Sequence, residues 1–175
     1  TNVLRDMGGF DPAFPQAVSE DAELSYRLAD AGYRLVFNRK ATVYHRHPNT
    51  WSAYLRRKIK FAYWRMIAYR LHPGKAVRYS YTPQLLKWQI ILIYLIIILL
   101  TLGVVFPPMI WGVAAVFMCL CITAIPFIRR VMYQDNTLGA AALFFIIVRA
   151  LALAIGVTGG MMGMFFFHPL IPRNR

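Results

Sequence analysis

The sequence predicts a short α/β segment that passes through a basic amphipathic helix into about three transmembrane helices. Three observations carry this reading. Residues 1–87 hold 15 of the 20 lysines and arginines and six of the seven acids, whereas residues 88–175 hold five bases and one acid. The second part contains long runs without charge, and an apolar share of 58% with a mean hydropathy of +0.46 is high for a soluble domain. In the first part, one amphipathic stretch bounded by helix-start and helix-stop residues precedes two β-prone runs. The expected boundaries are 1–49, 50–87 and 88–175.

Taken in order, "GGFDPAF" (8–14) reads as a turn, with Gly8 and Gly9 free to bring backbone close to a neighbour and Asp11 suited to a turn or cap. "SEDAELSYRLADAGYRL" (19–35) opens with Ser19 as N-cap and places Glu20, Asp21 and Glu23 in the first helical turn, where the helix dipole favours negative charge. Leu24, Leu28 and Ala31 form a short apolar face, and Gly32 supplies the stop. "YRLVF" (33–37) and "ATVYH" (41–45) then read as strands. On spacing alone, the cluster of acids is explained by electrostatics at the helix start.

Between 50 and 87, Trp51, Leu55, Ile59, Ala62, Met66 and Tyr69 recur at spacings of three and four, so they share one helical stripe. Arg56, Arg57, Lys58, Lys60, Arg65 and Arg70 cover the remainder, a pattern suited to the surface of an anionic membrane. The adjacent apolar spans make a nucleic-acid partner the weaker account of the same charges. "HPGK" (72–75) ends the helix with a turn.

Residues 88–106 and 109–128 carry no charge and are each about the ~20 residues that a helix needs to cross a bilayer. "PP" at 107–108 separates them, and Arg129 and Arg130 mark the return of this hairpin to the first side. The stretch 138–167 is expected to divide into a helix near the surface (138–148) and a third span (150–167), which leaves Arg149 snorkelling toward headgroups. The positive-inside rule places the basic first part in the cytoplasm of a multi-pass plasma (inner) membrane protein. Cys119 and Cys121 share the second span and suggest neither a disulfide nor a zinc site.

Three motifs in order, "GGFDPAF", "SEDAELSYRLADAGYRLVF" and "ATVYHRHP", resemble the C-terminal part of a family 2 glycosyltransferase catalytic domain of the GT-A (nucleotide-diphospho-sugar transferase) type. The resemblance covers roughly residues 1–48, and the basic helix followed by spans is similar to membrane-anchored members. It implies an inverting transfer from a nucleotide-sugar donor to a lipid-linked or cell-envelope glycan acceptor. Asp21 would be the general base, and Glu20 would position the acceptor. Gly8 and Gly9 would lie against the bound sugar, and Arg57 would meet the diphosphate. A divalent metal, Mg or Mn, is implied as cofactor, with His45 and, more weakly, His47 near it.

Two histidines do not by themselves make a metal site, and a polar strand end accounts for them equally. The family's nucleotide-binding half and its Asp-x-Asp motif are expected N-terminal to Thr1, so this stretch alone is expected to be an inactive fragment. No Gln-x-x-Arg-Trp motif is present, which favours single-sugar transfer over processive synthesis. The competing reading is a non-catalytic membrane adaptor that binds anionic lipid through its basic helix.

Overall fold

The computed structural model describes residues 2–14, 18–38, 40–44, 49–77 and 84–166. Among these residues the regular structure is helical: α1 (Asn2–Asp6), α2 (Glu20–Asp30), α3 (Trp51–Leu71), α4 (Pro73–Val77), α5 (Gln84–Gly103), α6 (Met109–Gln134) and α7 (Gly139–Gly163), with a 3-10 turn at Asn136–Leu138. The chain divides into two compact units, residues 1–80 with 156–175 and residues 81–155.

In the first unit, α2 ends as its sequence dictates. Gly32 takes a left-handed φ of 84°. Its N–H donates to the Ala29 carbonyl, and that of Tyr33 donates to the Leu28 carbonyl, so the last carbonyls of the helix are satisfied. The start differs from expectation. Ser19 occupies the N-cap position at φ 77°, and its side chain makes no capping hydrogen bond. Among the described residues its buried hydroxyl finds no partner.

Among the described residues the expected strands are not formed. Residues 33–38 and 40–44 run as irregular chain, and Val36, Phe37, Val43 and Tyr44 stand exposed. Their side chains suit a pleated surface, but a strand persists only where a neighbouring backbone completes its hydrogen bonds. The described residues supply no such neighbour.

The core of this unit gathers Phe14, Tyr26, Ile67 and Ala68, with Tyr63, Trp64 and Met164 packed around them. Helix α3 starts at Thr50, whose hydroxyl accepts from the Ala53 N–H at 3.4 Å. Two expectations for α3 are corrected. Arg65 is not on a solvated face: it is 6% exposed, donates to the Tyr26 hydroxyl at 3.2 Å and lies over the Phe61 ring. The stripe holding Ile59, Ala62 and Met66 faces glycines of α7 rather than lipid. A Cβ at Gly156 would fall 2.7 Å from the Ala62 Cβ, and one at Gly160 would fall 2.6 Å from the Tyr63 carbonyl oxygen. Only glycine permits so close an approach, and the G-x-x-x-G spacing in an apolar run was a legible sign of it. Past Leu71, Pro73 opens the single turn of α4, a position where its missing N–H costs nothing.

In the second unit, α5 and α6 pack on each other and, with the first part of α7, enclose Ile93, Leu120, Ala150 and Ala154. Tyr94 donates to the Ala154 carbonyl at 2.7 Å. Three helices, Gln84–Gly103, Met109–Gln134 and Ala141–Gly163, are long and apolar enough to cross a membrane. The third is one continuous helix, against the expected break near Arg149. The reason is that Arg149 has an interior partner. Its Nη2 donates to Gln89 Oε1 at 3.0 Å, its guanidinium lies 5.9 Å from the Phe127 ring centroid, and the Gln89 amide reaches Thr123. A charge held among facing helices has no need to snorkel. Cys119 and Cys121 are free thiols.

Candidate active site

The three acids that open α2 meet different fates. Glu23 points into the fold and is fully buried, while Asp21 is exposed and Glu20 is partly buried. A buried carboxylate needs a cation and hydrogen bonds to remain ionised. Arg27, one helical turn on, provides both: its Nε lies 2.9 Å from each Glu23 oxygen. The acid-before-base spacing of four residues is a sequence signal for such a pair.

The same guanidinium reaches further. Nη1 donates to the Met7 carbonyl and Nη2 to the Gly9 carbonyl, the latter at 2.6 Å. Gly8 and Gly9 take φ values of 73° and 68°, a left-handed pair that side chains oppose. Asp11 follows, buried at 1% exposure, with Oδ1 accepting from the Ala13 N–H at 2.9 Å. It serves the turn that leads to Phe14.

On the other side of Glu23 a second set of polar groups closes against α2. His72 Nε2 approaches Glu23 Oε1 at 3.5 Å, and His72 Nδ1 lies 2.6 Å from Asp30 Oδ2. Lys75 Nζ lies 2.9 Å from Asp30 Oδ1. Burial works against the Asp30 carboxylate, but the hydrogen bonds from Lys75 and His72 outweigh it and hold the group below its usual range. These partners lie 42 or more residues from α2, so no local pattern could have announced them.

Asp21 is left facing outward. Its Oδ1 accepts from the Ala22 N–H at 2.7 Å, while Ser25 Oγ donates to the Asp21 carbonyl. Glu20 Oε2 is buried and finds no hydrogen-bond partner among the described residues. Of the residues expected at the site, the structure joins Gly8 and Gly9 to the helix of Glu20 and Asp21 through Arg27. Arg57 is exposed on the first half of α3. His45 and His47 lie outside the described residues. Sequence reasoning missed Glu23, Arg27, Asp30, Arg65 and His72 as the scaffold of this corner.

The corner thus combines an exposed Asp21 in the first turn of α2 with a diglycine turn tied to the same helix through Arg27. The family described as Glycosyl transferase family group 2 matches residues 1–157 of the 175. The chain belongs to this glycosyltransferase family. No curated protein and no solved structure matches it. Membership supports glycosyltransferase activity and implies a nucleotide-sugar donor and an acceptor in general. The metal expected of such a transferase finds no donor set here, since the described residues hold no group of three His, Cys, Asp or Glu able to bind an ion.

Proposed function

We propose that the protein is a membrane-bound inverting glycosyltransferase of the GT-A type, acting on a lipid-linked or cell-envelope glycan acceptor from the cytoplasmic side of the plasma membrane. The observation that carries this reading is the exposed Asp21 carboxylate in the first turn of α2, held on a helix whose buried acid, Glu23, is paired with Arg27. In this reading Asp21 accepts the proton of the acceptor hydroxyl as that oxygen bonds to the anomeric carbon. The bond from that carbon to the diphosphate breaks, and its electron pair leaves with the diphosphate. The Ala22 N–H donates to Oδ1 and so helps to fix the orientation of the base at the helix start.

Around this step, Glu20 and the Gly8–Gly9 turn bound the sugar, and Arg57 draws the departing diphosphate. A divalent metal, with His45 or His47 near it, belongs to the same reading. The basic residues of α3, Arg56, Lys60 and Arg70, are exposed and suit an anionic lipid surface where a lipid-linked acceptor would lie. The parts proposed are 1–49 as the C-terminal part of the catalytic domain, 50–87 as the interfacial helix and linker, and 88–175 as the transmembrane region.

The test is Asp21→Asn in the full-length encoded protein. Membranes carrying it are assayed for release of nucleoside diphosphate from a panel of nucleotide sugars. Loss of a general base lowers turnover by about 10²- to 10⁴-fold. Expression and membrane insertion are expected to be unchanged, because Asp21 is exposed. Wild-type turnover in that variant removes Asp21 from the mechanism.

A further inference from the structure

The Glu23–Arg27 pair does more than a buried ion pair requires. Arg27 satisfies both carboxylate oxygens with Nε alone, at 2.9 Å each, which leaves both outer nitrogens for other work. They are committed to the carbonyls of Met7 and Gly9, 20 and 18 residues upstream. Those carbonyls belong to the left-handed Gly8–Gly9 turn. The fork therefore ties that turn to the helix bearing Glu20 and Asp21, and the helix itself is braced from behind through His72, Asp30 and Lys75. Neither Glu23 nor Arg27 faces outward, so neither is placed to touch a substrate.

We propose that Arg27 is a positioning residue that fixes the Gly8–Gly9 turn against α2, the helix that opens with Glu20 and Asp21, and thereby sets how tightly the sugar is held. The inference rests on the glycosyltransferase reading of that helix. It follows from guanidinium geometry: a planar fork spans a carboxylate and two carbonyls at once, whereas a lysine ammonium neutralises Glu23 as a point charge and cannot hold both carbonyls in register. The Arg27→Lys substitution therefore separates charge neutralisation from turn placement. A displacement of about 1 Å in a substrate-positioning element costs up to about 10²-fold.

The experiment compares wild type, Arg27→Lys and Asp21→Asn in the full-length enzyme, with donor and acceptor concentrations varied separately. For Arg27→Lys the expected result is a rise of about 10- to 100-fold in KM for one of the two substrates, with the other KM unchanged and a native thermal transition. A merely structural role would instead lower the active fraction, so that apparent kcat falls and both KM values stay. That outcome, or wild-type kinetics, overturns the proposal.

If Arg27→Lys does not fold, Gly9→Ala decides. It strains the turn through its φ of 68° while leaving the charge pair intact, and a Cβ there meets nothing within 4 Å. The same selective KM rise is expected, and its absence overturns the proposal. Full activity in Asp21→Asn would instead defeat the reading of the helix. An inactive Asp21→Asn beside a kinetically normal Arg27→Lys would defeat the positioning role alone.

Discussion

Two neighbouring glycines in α7 are expected to respond to alanine in opposite directions. At Gly159 an added Cβ would lie 3.4 Å from Tyr63 Cδ2, an ordinary contact with the edge of a ring. The substitution then gains what alanine gains over glycine in any helix interior, about 0.8–1 kcal/mol. At Gly160 the Cβ would fall 2.6 Å from the Tyr63 carbonyl oxygen, 2.8 Å from the Met66 Cβ and 3.0 Å from the Tyr63 Cα. Two of these atoms are backbone and cannot rotate away, so α3 must retreat by about 0.6–0.8 Å along its length to reach ordinary contact distances.

Overpacking of this kind costs about 1–3 kcal/mol, which outweighs the gain in helix propensity. The two variants should therefore differ by about 1–3 kcal/mol, the overpacking cost itself, with Gly159→Ala above wild type and Gly160→Ala below it. The assay is reversible unfolding of the purified protein in mixed micelles, followed by tryptophan fluorescence, since Trp64 packs in the adjoining core. Equal shifts in the two variants, or a stabilised Gly160→Ala, would refute the close approach of α3 to α7.

Two further outcomes concern the first unit. The folded Asp30 carboxyl titrates below its unfolded value of 3.8, so its contribution to stability is fully present above that pH and is lost as pH falls through the lower folded value. The stability gap between wild type and Asp30→Asn should therefore narrow as pH falls below 3.8; a gap unchanged in acid would contradict the Lys75 and His72 contacts. Ser19 and Thr50 occupy equivalent positions at two helix starts, but only Thr50 caps. Thr50→Ala should cost about 0.5–1 kcal/mol and Ser19→Ala less than about 0.5 kcal/mol in chemical denaturation. A larger loss at Ser19 would mean that its hydroxyl has a partner.

What the sequence made legible was local. The bounds of α2 follow from three acids and one glycine, and the helical hairpin from two uncharged runs divided by Pro107 and Pro108. What it hid depends on residues far along the chain. Arg65 carries the same charge as its exposed neighbours Arg56 and Arg57, yet it lies inside, against Tyr26 and Phe61. His72 has no helical partner of its own and finds its role through Glu23 and Asp30. The segments 33–38 and 40–44 have the propensity for strands, yet propensity alone does not fold them, because β structure is made by pairing. Arg149 misled for the same reason: read alone it marks a boundary, and beside Gln89 it marks an interior.

That last pairing has a consequence for how the chain is made. Gln89 and Arg149 are separated by 60 residues, so synthesis delivers the amide well before the guanidinium emerges. An arginine near the centre of a newly inserting helix resists entry by about 2.5–3.5 kcal/mol, a load that the apolar remainder of α7 must carry unless a partner is waiting. With α5 and α6 already delivered, Gln89 and Thr123 offer that reception, and the order of the helices along the gene becomes the order in which the bundle can be built.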